Sequence, residues 1–241
     1  MYTTNIQTKS FGKEEFHQSY RPVQITMLGG FEIVNRDKGP VRWVTAKAEE
    51  LFIYLLLHDL EATKWTLMDN LWPNTNREKA EQNLYTTVFR LRQTFKEQGL
   101  DFKLEAIQKK YVLTLPEDTD WDLEKLLCAL NCKNKESLKK ALKLYRGELL
   151  AEKDYFWCYQ KRQKIANSYQ EIALNLAQIY FLEGRYREGL DVADKVLKHT
   201  LLGEEFMEWL EALQKLKLDL RLKKRVQKLL SNFIAEGSFS R

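Results

Sequence analysis

The sequence predicts an α+β N-terminal winged helix-turn-helix domain followed by an all-α, tetratricopeptide-like helical domain. Three observations predict it. Alternating apolar residues precede position 44, as in short strands. A short capped helix and a long one then run straight into a hairpin. From Trp121 onward every segment carries a helical period.

Residues 1–21 are polar and without period, and read as a flexible arm or linker. The winged helix is expected over residues 22–118 and the helical domain over 119–241. Val23, Ile25 and Met27 alternate, Gly29-Gly30 turns the chain, and Phe31 and Ile33 alternate again. A second turn cluster at residues 35–39 precedes Val41 and Trp43, giving three short antiparallel strands. Thr45 is placed to cap a helix whose residues 51–57 are apolar around the whole circumference, which marks it as central and buried. Thr66-x-x-Asp69 opens a short helix that closes at Trp72-Pro73, and Thr75-x-x-Glu78 opens a long one that ends at Gly99. Residues 102–107 and 111–115 flank the turn Gln108-Lys109-Lys110, and Pro116 ends the unit.

Helices are expected at 122–131, 135–146, 155–182, 186–198, 204–216 and 219–234. A tetratricopeptide pattern started at Gln170 puts Leu176, Ala177, Tyr180, Gly184 and Gly189 at its small or aromatic positions. Val196 stands where Ala is usual and Leu201 where Pro is usual.

Composition narrows the function. The chain has 241 residues, 44% hydrophobic and 30% charged, which is globular. Its longest apolar run, residues 51–57, is too short to cross a bilayer, so no membrane partner is expected. No secretory signal is visible, and a cytoplasmic location is expected. Only 4 Pro and 10 Gly argue against a turn-rich sandwich. Three cysteines argue against a disulfide framework; Cys128 and Cys132, one helical turn apart, are expected as small core residues rather than metal ligands. The histidines 17, 58 and 199 are scattered, no phosphate-binding or zinc motif occurs, and neither catalysis nor a cofactor is expected. Residues 21–120 carry 14 Lys/Arg against 15 Asp/Glu, a net of −1, whereas residues 121–241 carry 23 against 17, a net of +6. Within residues 77–110 the count is 8 against 5, a local excess of basic charge.

On the long helix, Ala80, Leu84, Val88, Leu91 and Phe95 form one apolar stripe. The opposite stripe holds Lys79, Gln82, Asn83, Thr86, Arg90 and Gln93: amides, a hydroxyl and a guanidinium, with no large apolar group. Such groups read base edges, Arg pairing with guanine and Asn or Gln with adenine. A solvated helix face has the same composition, and so does a lysine-bearing turn such as Lys109-Lys110. Arg92, on the shoulder, is placed for phosphate.

The residues Ile25–Gly29, 51–58, Asp69-Asn-Leu-Trp-Pro73, Asn83-Leu-Tyr-Thr-Thr-Val-Phe-Arg-Leu-Arg92 and Tyr111-Val-Leu113 resemble the OmpR-type winged helix of SARP-type bacterial transcriptional activators. Ala141-Leu-Lys-Leu-Tyr-Arg-Gly-Glu-Leu-Leu150, Trp157 and Arg162 look like the bacterial transcriptional activator domain that follows it in that family. The resemblance spans about residues 22–215. It implies binding of double-stranded promoter DNA and recruitment of RNA polymerase. Its groove-reading positions fall on Gln82, Thr86 and Arg90, with DNA-backbone contacts near Thr87 and Arg92. Phe89 departs, standing where relatives often carry a basic phosphate contact. The last residues, 216–241, also depart, and no receiver domain is expected ahead of the winged helix. Relatives commonly bind direct repeats, which implies a monomer in solution and a head-to-tail pair on DNA. The rival reading is a helical-repeat interaction scaffold whose winged helix does not bind DNA; Phe89 and the net charge of −1 favour it.

Overall fold

The computed structural model describes residues 23–200 and 203–237. The arm expected over residues 1–21 lies outside the described residues, as do His17 and Leu201.

Strand β1 (Val23–Thr26) pairs antiparallel with β2 (Glu32–Asn35), Ile25 facing Ile33. The third strand, β3, is only Gly39–Pro40, earlier than the expected stretch around Val41 and Trp43. It lies at the sheet edge, where a proline's missing N–H breaks no ladder. Past it, Val41 still donates to the Ile33 carbonyl at 2.8 Å, and Trp43 leaves the sheet to pack on Phe52 at 5.3 Å.

Helix α1 (Ala46–Leu57) is capped by Thr45, whose side chain accepts from the Ala48 N–H, and residues 51–57 are all buried. Strand β4 (Glu61–Thr63) follows a turn in which Asp59 and Leu60 both take positive φ. No alternation signals so short a strand. Helix α2 (Lys64–Leu71) is capped by Thr63, which accepts from the Thr66 N–H; the expected start at Thr66 is one turn late. Helix α3 (Arg77–Gln98) is capped by Asn76 rather than by Thr75. Asn caps as well as Thr, and Asn76 is the residue whose side chain reaches the Lys79 N–H at 2.9 Å. The helix ends at Gly99 in the left-handed region, as expected. Strands β5 (Lys103–Ile107) and β6 (Lys110–Thr114) form the hairpin, with β4 on the far side of β6. Rings from three elements lock this unit: Phe52 of α1 stacks on Phe102 at 5.6 Å, and Phe95 of α3 meets Phe102 edge-on at 5.4 Å.

The chain then returns to the first sheet. Strand β7 (Asp120–Trp121) pairs parallel with β1, so the four-stranded order is β3-β2-β1-β7. Everything after is helical: α4 (Asp122–Cys132), α5 (Lys135–Leu144), a 3-10 turn at Phe156–Cys158, α6 (Tyr159–Leu182), α7 (Tyr186–Val196), α8 (Glu204–Gln214) and α9 (Leu220–Gly237). The expected helix over 155–182 thus starts with a tighter turn. Gly189 sits where α6, α7 and α8 converge: a Cβ there would lie 3.2 Å from the Trp209 ring and 3.4 Å from the Ala177 carbonyl oxygen. Close approach explains the small residue at Gly189, whereas Gly184 has open space around it and takes a φ of +70° at the end of α6.

Cys128 and Cys132 are exposed on α4, contrary to the core expectation, because α4 buries the face formed by Leu123, Leu126 and Ala129. Cys158 is buried, and burial pushes its thiol up to about 11. Among the described residues no group of three or more His, Cys, Asp or Glu is placed to hold a metal, and no helix is long and apolar enough to cross a membrane.

Candidate nucleic-acid interface

Helix α3 presents two faces, and the sequence separates them well. Ala80, Leu84, Val88, Leu91 and Phe95 are all buried against α1 and the hairpin. Lys79, Gln82, Thr86 and Arg90 are exposed, and Asn83 and Gln93 are half-buried at the margins. The side chains of Lys79, Gln82, Asn83 and Arg90 have no hydrogen-bond or ion-pair partner within the described residues. Their donors and acceptors are free for a ligand. Gln93 is less free, since its Nε2 donates to Glu97 at 2.7 Å. Thr86 turns its hydroxyl back on the helix and donates to the Gln82 carbonyl at 2.9 Å, leaving an acceptor lone pair and a methyl.

Two of the expected DNA-backbone contacts stand differently. Thr87 is only 6% exposed, because it falls on the margin of the buried stripe, so its side chain is not on the outer face. Arg92 is exposed, but its Nε donates to the Leu104 carbonyl of β5 at 2.9 Å. It ties α3 to the wing and leaves only the rest of its guanidinium for an anion.

At the wing, Gln108 and Lys109 form a two-residue turn with both φ positive, the backbone of a type I′ turn. Lys109 is exposed at the tip, and its carbonyl accepts from the Lys64 N–H at 3.1 Å, which fixes the tip against the start of α2. Lys110 is not a tip residue. It is the first residue of β6 and forms an ion pair with Glu61 of the neighbouring strand.

Sequence reasoning left two aromatics off the outer stripe. Tyr85 is 52% exposed and Phe89 is 67% exposed, so the outer stripe does contain large apolar groups. Phe89 lies between Thr86 and Gln93 at spacings of three and four, which a wheel drawn through every residue would have displayed. Tyr85 belongs to a cluster joining α2 to α3. Its hydroxyl donates to Glu81 at 2.7 Å and accepts from Lys64 at 3.1 Å, and Lys64 also pairs with Glu81. Donation by Lys64 and Tyr85 holds the Glu81 carboxyl below its ordinary range, and the same bonds raise Lys64. Beside it the Arg77 guanidinium lies 4.1 Å over the Trp65 ring. These contacts set the angle between the two helices.

The helical part grips this unit through Asp122, Lys153 and residues of the second motif. Asp122 accepts from the Met27 and Leu28 N–H groups at 3.0 and 3.1 Å. The Gly29 N–H donates to the Glu148 backbone carbonyl at 3.0 Å, and Gly29 needs both its positive φ and its bare Cα, since a Cβ would lie 3.0 Å from the Arg146 carbonyl carbon. The Trp157 indole donates to Glu50 of α1 at 3.1 Å, Lys153 pairs with Glu49 at 2.8 Å, and Arg162 donates to the carbonyls of Leu149 and Leu150.

A three-stranded sheet carrying a hairpin beside two helices, followed by paired helices, defines a winged helix-turn-helix joined to an all-helical region. The solved structure of Mycobacterium tuberculosis EmbR in complex with a low affinity phosphopeptide is similar to it, with a TM-score of 0.51 and 16% identity over 91% of this chain and 71% of that one. No protein-family model matches the chain, and no curated protein matches it.

Proposed function

We propose that this chain is a sequence-specific DNA-binding transcriptional regulator, an activator that reads promoter direct repeats with α3 and contacts RNA polymerase through its helical part. One observation carries the reading. Gln82 and Arg90 are exposed on the outer face of the helix that follows the turn, and both are unpaired within the described residues. In this architecture that helix enters the major groove, and those side-chain types are the ones that read guanine and adenine. The fold shared with EmbR and the motif resemblance support the same reading. Polymerase contact, activation and head-to-tail pairing rest on the resemblance alone.

Selection of the full chain on a random duplex pool tests it. An enriched site, lost in the double variant Gln82→Ala/Arg90→Ala, is the expected result. The second reading, a protein-interaction scaffold whose winged helix does not bind DNA, is favoured by the exposed rings of Tyr85 and Phe89. Failure to enrich any site would favour it.

A further inference from the structure

We propose that Phe89, with the methyl of Thr86 beside it, reads thymine C5 methyl groups in the major groove. This rests on α3 being the recognition helix. Gln82, Thr86, Phe89 and Gln93 follow one another at spacings of four, three and four, so they lie on one line down the outside of α3. Arg90 and Arg92 stand on either side of that line. Side chains on the midline of a helix in the groove meet its floor; from the flanks the unpaired Arg90 guanidinium is long enough to reach a base edge, whereas Arg92 is tied back to β5.

Phe89 is two-thirds exposed, and no described ring or cation packs on it. Its neighbour one turn earlier, Tyr85, is held by Glu81 and Lys64, which gives Phe89 a fixed flank. Thr86, three residues before it, has committed its hydroxyl proton to the Gln82 carbonyl. Together these residues place an apolar patch between two hydrogen-bonding readers, Gln82 and Arg90.

A phenyl ring offers no donor and no acceptor, so it cannot recognise a purine edge or bind a phosphate. On the floor of the major groove the apolar group that distinguishes one base is the thymine methyl, and Phe and Thr are suited to contact it. The preferred site should carry thymine at one or two positions flanked by bases that Gln82 and Arg90 read.

The test uses the site that the full-length chain selects. Each thymine in it is replaced in turn by deoxyuridine, which lacks only the methyl, and binding is measured for the unmodified chain, Phe89→Ala and Phe89→Leu. At one or two positions the unmodified chain should lose about four-fold in affinity per methyl removed, the factor a buried methyl-sized group contributes. Phe89→Ala should bind the thymine site more weakly and be indifferent to deoxyuridine there, with Phe89→Leu in between. Circular dichroism should be unchanged, since the ring is outside the core. Deoxyuridine tolerated at every position, or equal sensitivity in Phe89→Ala, overturns the proposal and leaves DNA reading intact. If no site is selected and neither protein retards DNA, recognition by α3 falls and methyl reading falls with it.

Discussion

Asp122 and Met27, 95 residues apart in the chain, are joined where the carboxylate heading α4 accepts the Met27 backbone N–H at 3.0 Å. The same group accepts the Leu28 N–H, so one side chain satisfies two buried donors just past the end of β1. Burial pushes this carboxyl above its usual range, and the two N–H groups pull it partly back. Asp122→Ala leaves both donors unsatisfied and should destabilise the chain by about 2–4 kcal/mol, measured by urea denaturation. Asp122→Asn keeps one acceptor oxygen and should lose less.

The same relationship bears on a fragment of residues 21–120, which the composition change near Pro116 suggests would fold and bind DNA alone. That fragment lacks Asp122, the Glu148 and Leu150 contacts to the Met27–Gly29 segment, and Trp157 on Glu50. We expect it to melt well below the full chain in circular dichroism. A fragment extended through Arg162 should recover much of the difference; equal melting of the two would show the junction contributes little.

Much of this fold is legible because it rests on local chemistry. The buried stripe of α3, the apolar circumference of α1 and the Gly99 stop all announce themselves in sequence. The missed elements are non-local. Strands β4 and β7 have three and two residues, too few to alternate, and exist because β6 and β1 offer them a free edge. Arg92 is a matter of tertiary reach: nothing in its spacing reveals that the Leu104 carbonyl lies 2.9 Å from its Nε. For the site, the free polar groups are legible from their spacing on α3; Phe89 shares that outer spacing, but the resemblance casts it as a missing phosphate contact and not as an exposed apolar group.

Arg90 and Arg92 should separate in their phenotypes. Arg90→Ala removes an exposed guanidinium that has no partner among the described residues, and on the proposed reading should cost about 1–3 kcal/mol on the selected site while relaxing preference at one base. Arg92→Ala should weaken all sequences similarly. Because it also cuts the tie from α3 to β5, it should lower the melting temperature, which Arg90→Ala should not. Titrations on selected and random duplexes with parallel melts decide this; equal melts would remove the tie from the explanation.

The wing turn places Gln108 and Lys109 at φ +48° and +68°, where side chains are disfavoured and Asn-Gly is preferred. Gln108→Asn with Lys109→Gly should stabilise the chain by about 1 kcal/mol. If Lys109 meets a phosphate, the same variant should reduce the slope of log affinity against log salt by about 0.9. Stability without the slope change would leave Lys109 a solvated turn residue.

His58 and His199 give the fold an acid-sensitive component. Burial, with Lys161 nearby, holds His58 below its ordinary range despite its bond to the Tyr54 carbonyl and the nearby Asp59; burial with Lys195 and Lys198 does the same for His199. The unfolded chain therefore takes up these protons first. Their contribution is complete above about pH 6.5 and is lost as pH falls toward the folded values. Melting temperature should drop between pH 7 and 5, and replacing both by Phe should flatten that drop; an unchanged slope would place the acid sensitivity elsewhere.

Assembly on DNA gives the last expectation. The proposed reading surface is one helix with a hairpin to one side, and the sequence carries no sustained heptad repeat of the kind that builds a two-fold coiled-coil dimer. Two copies on a direct repeat would meet through unlike surfaces, a heterologous contact. For both α3 helices to enter the groove on one side of the duplex, the half-sites must lie about one turn, roughly 10–11 bp, apart. We expect a monomer in sedimentation without DNA and cooperative binding at that spacing. Inserting about half a turn should rotate the second copy to the opposite face and abolish cooperativity. A whole inserted turn restores the face but separates the copies by about another 34 Å, so binding should become independent. A stable dimer without DNA, or preference for inverted repeats, would instead require a two-fold interface, and the exposed side of the helical part would be the place to seek it.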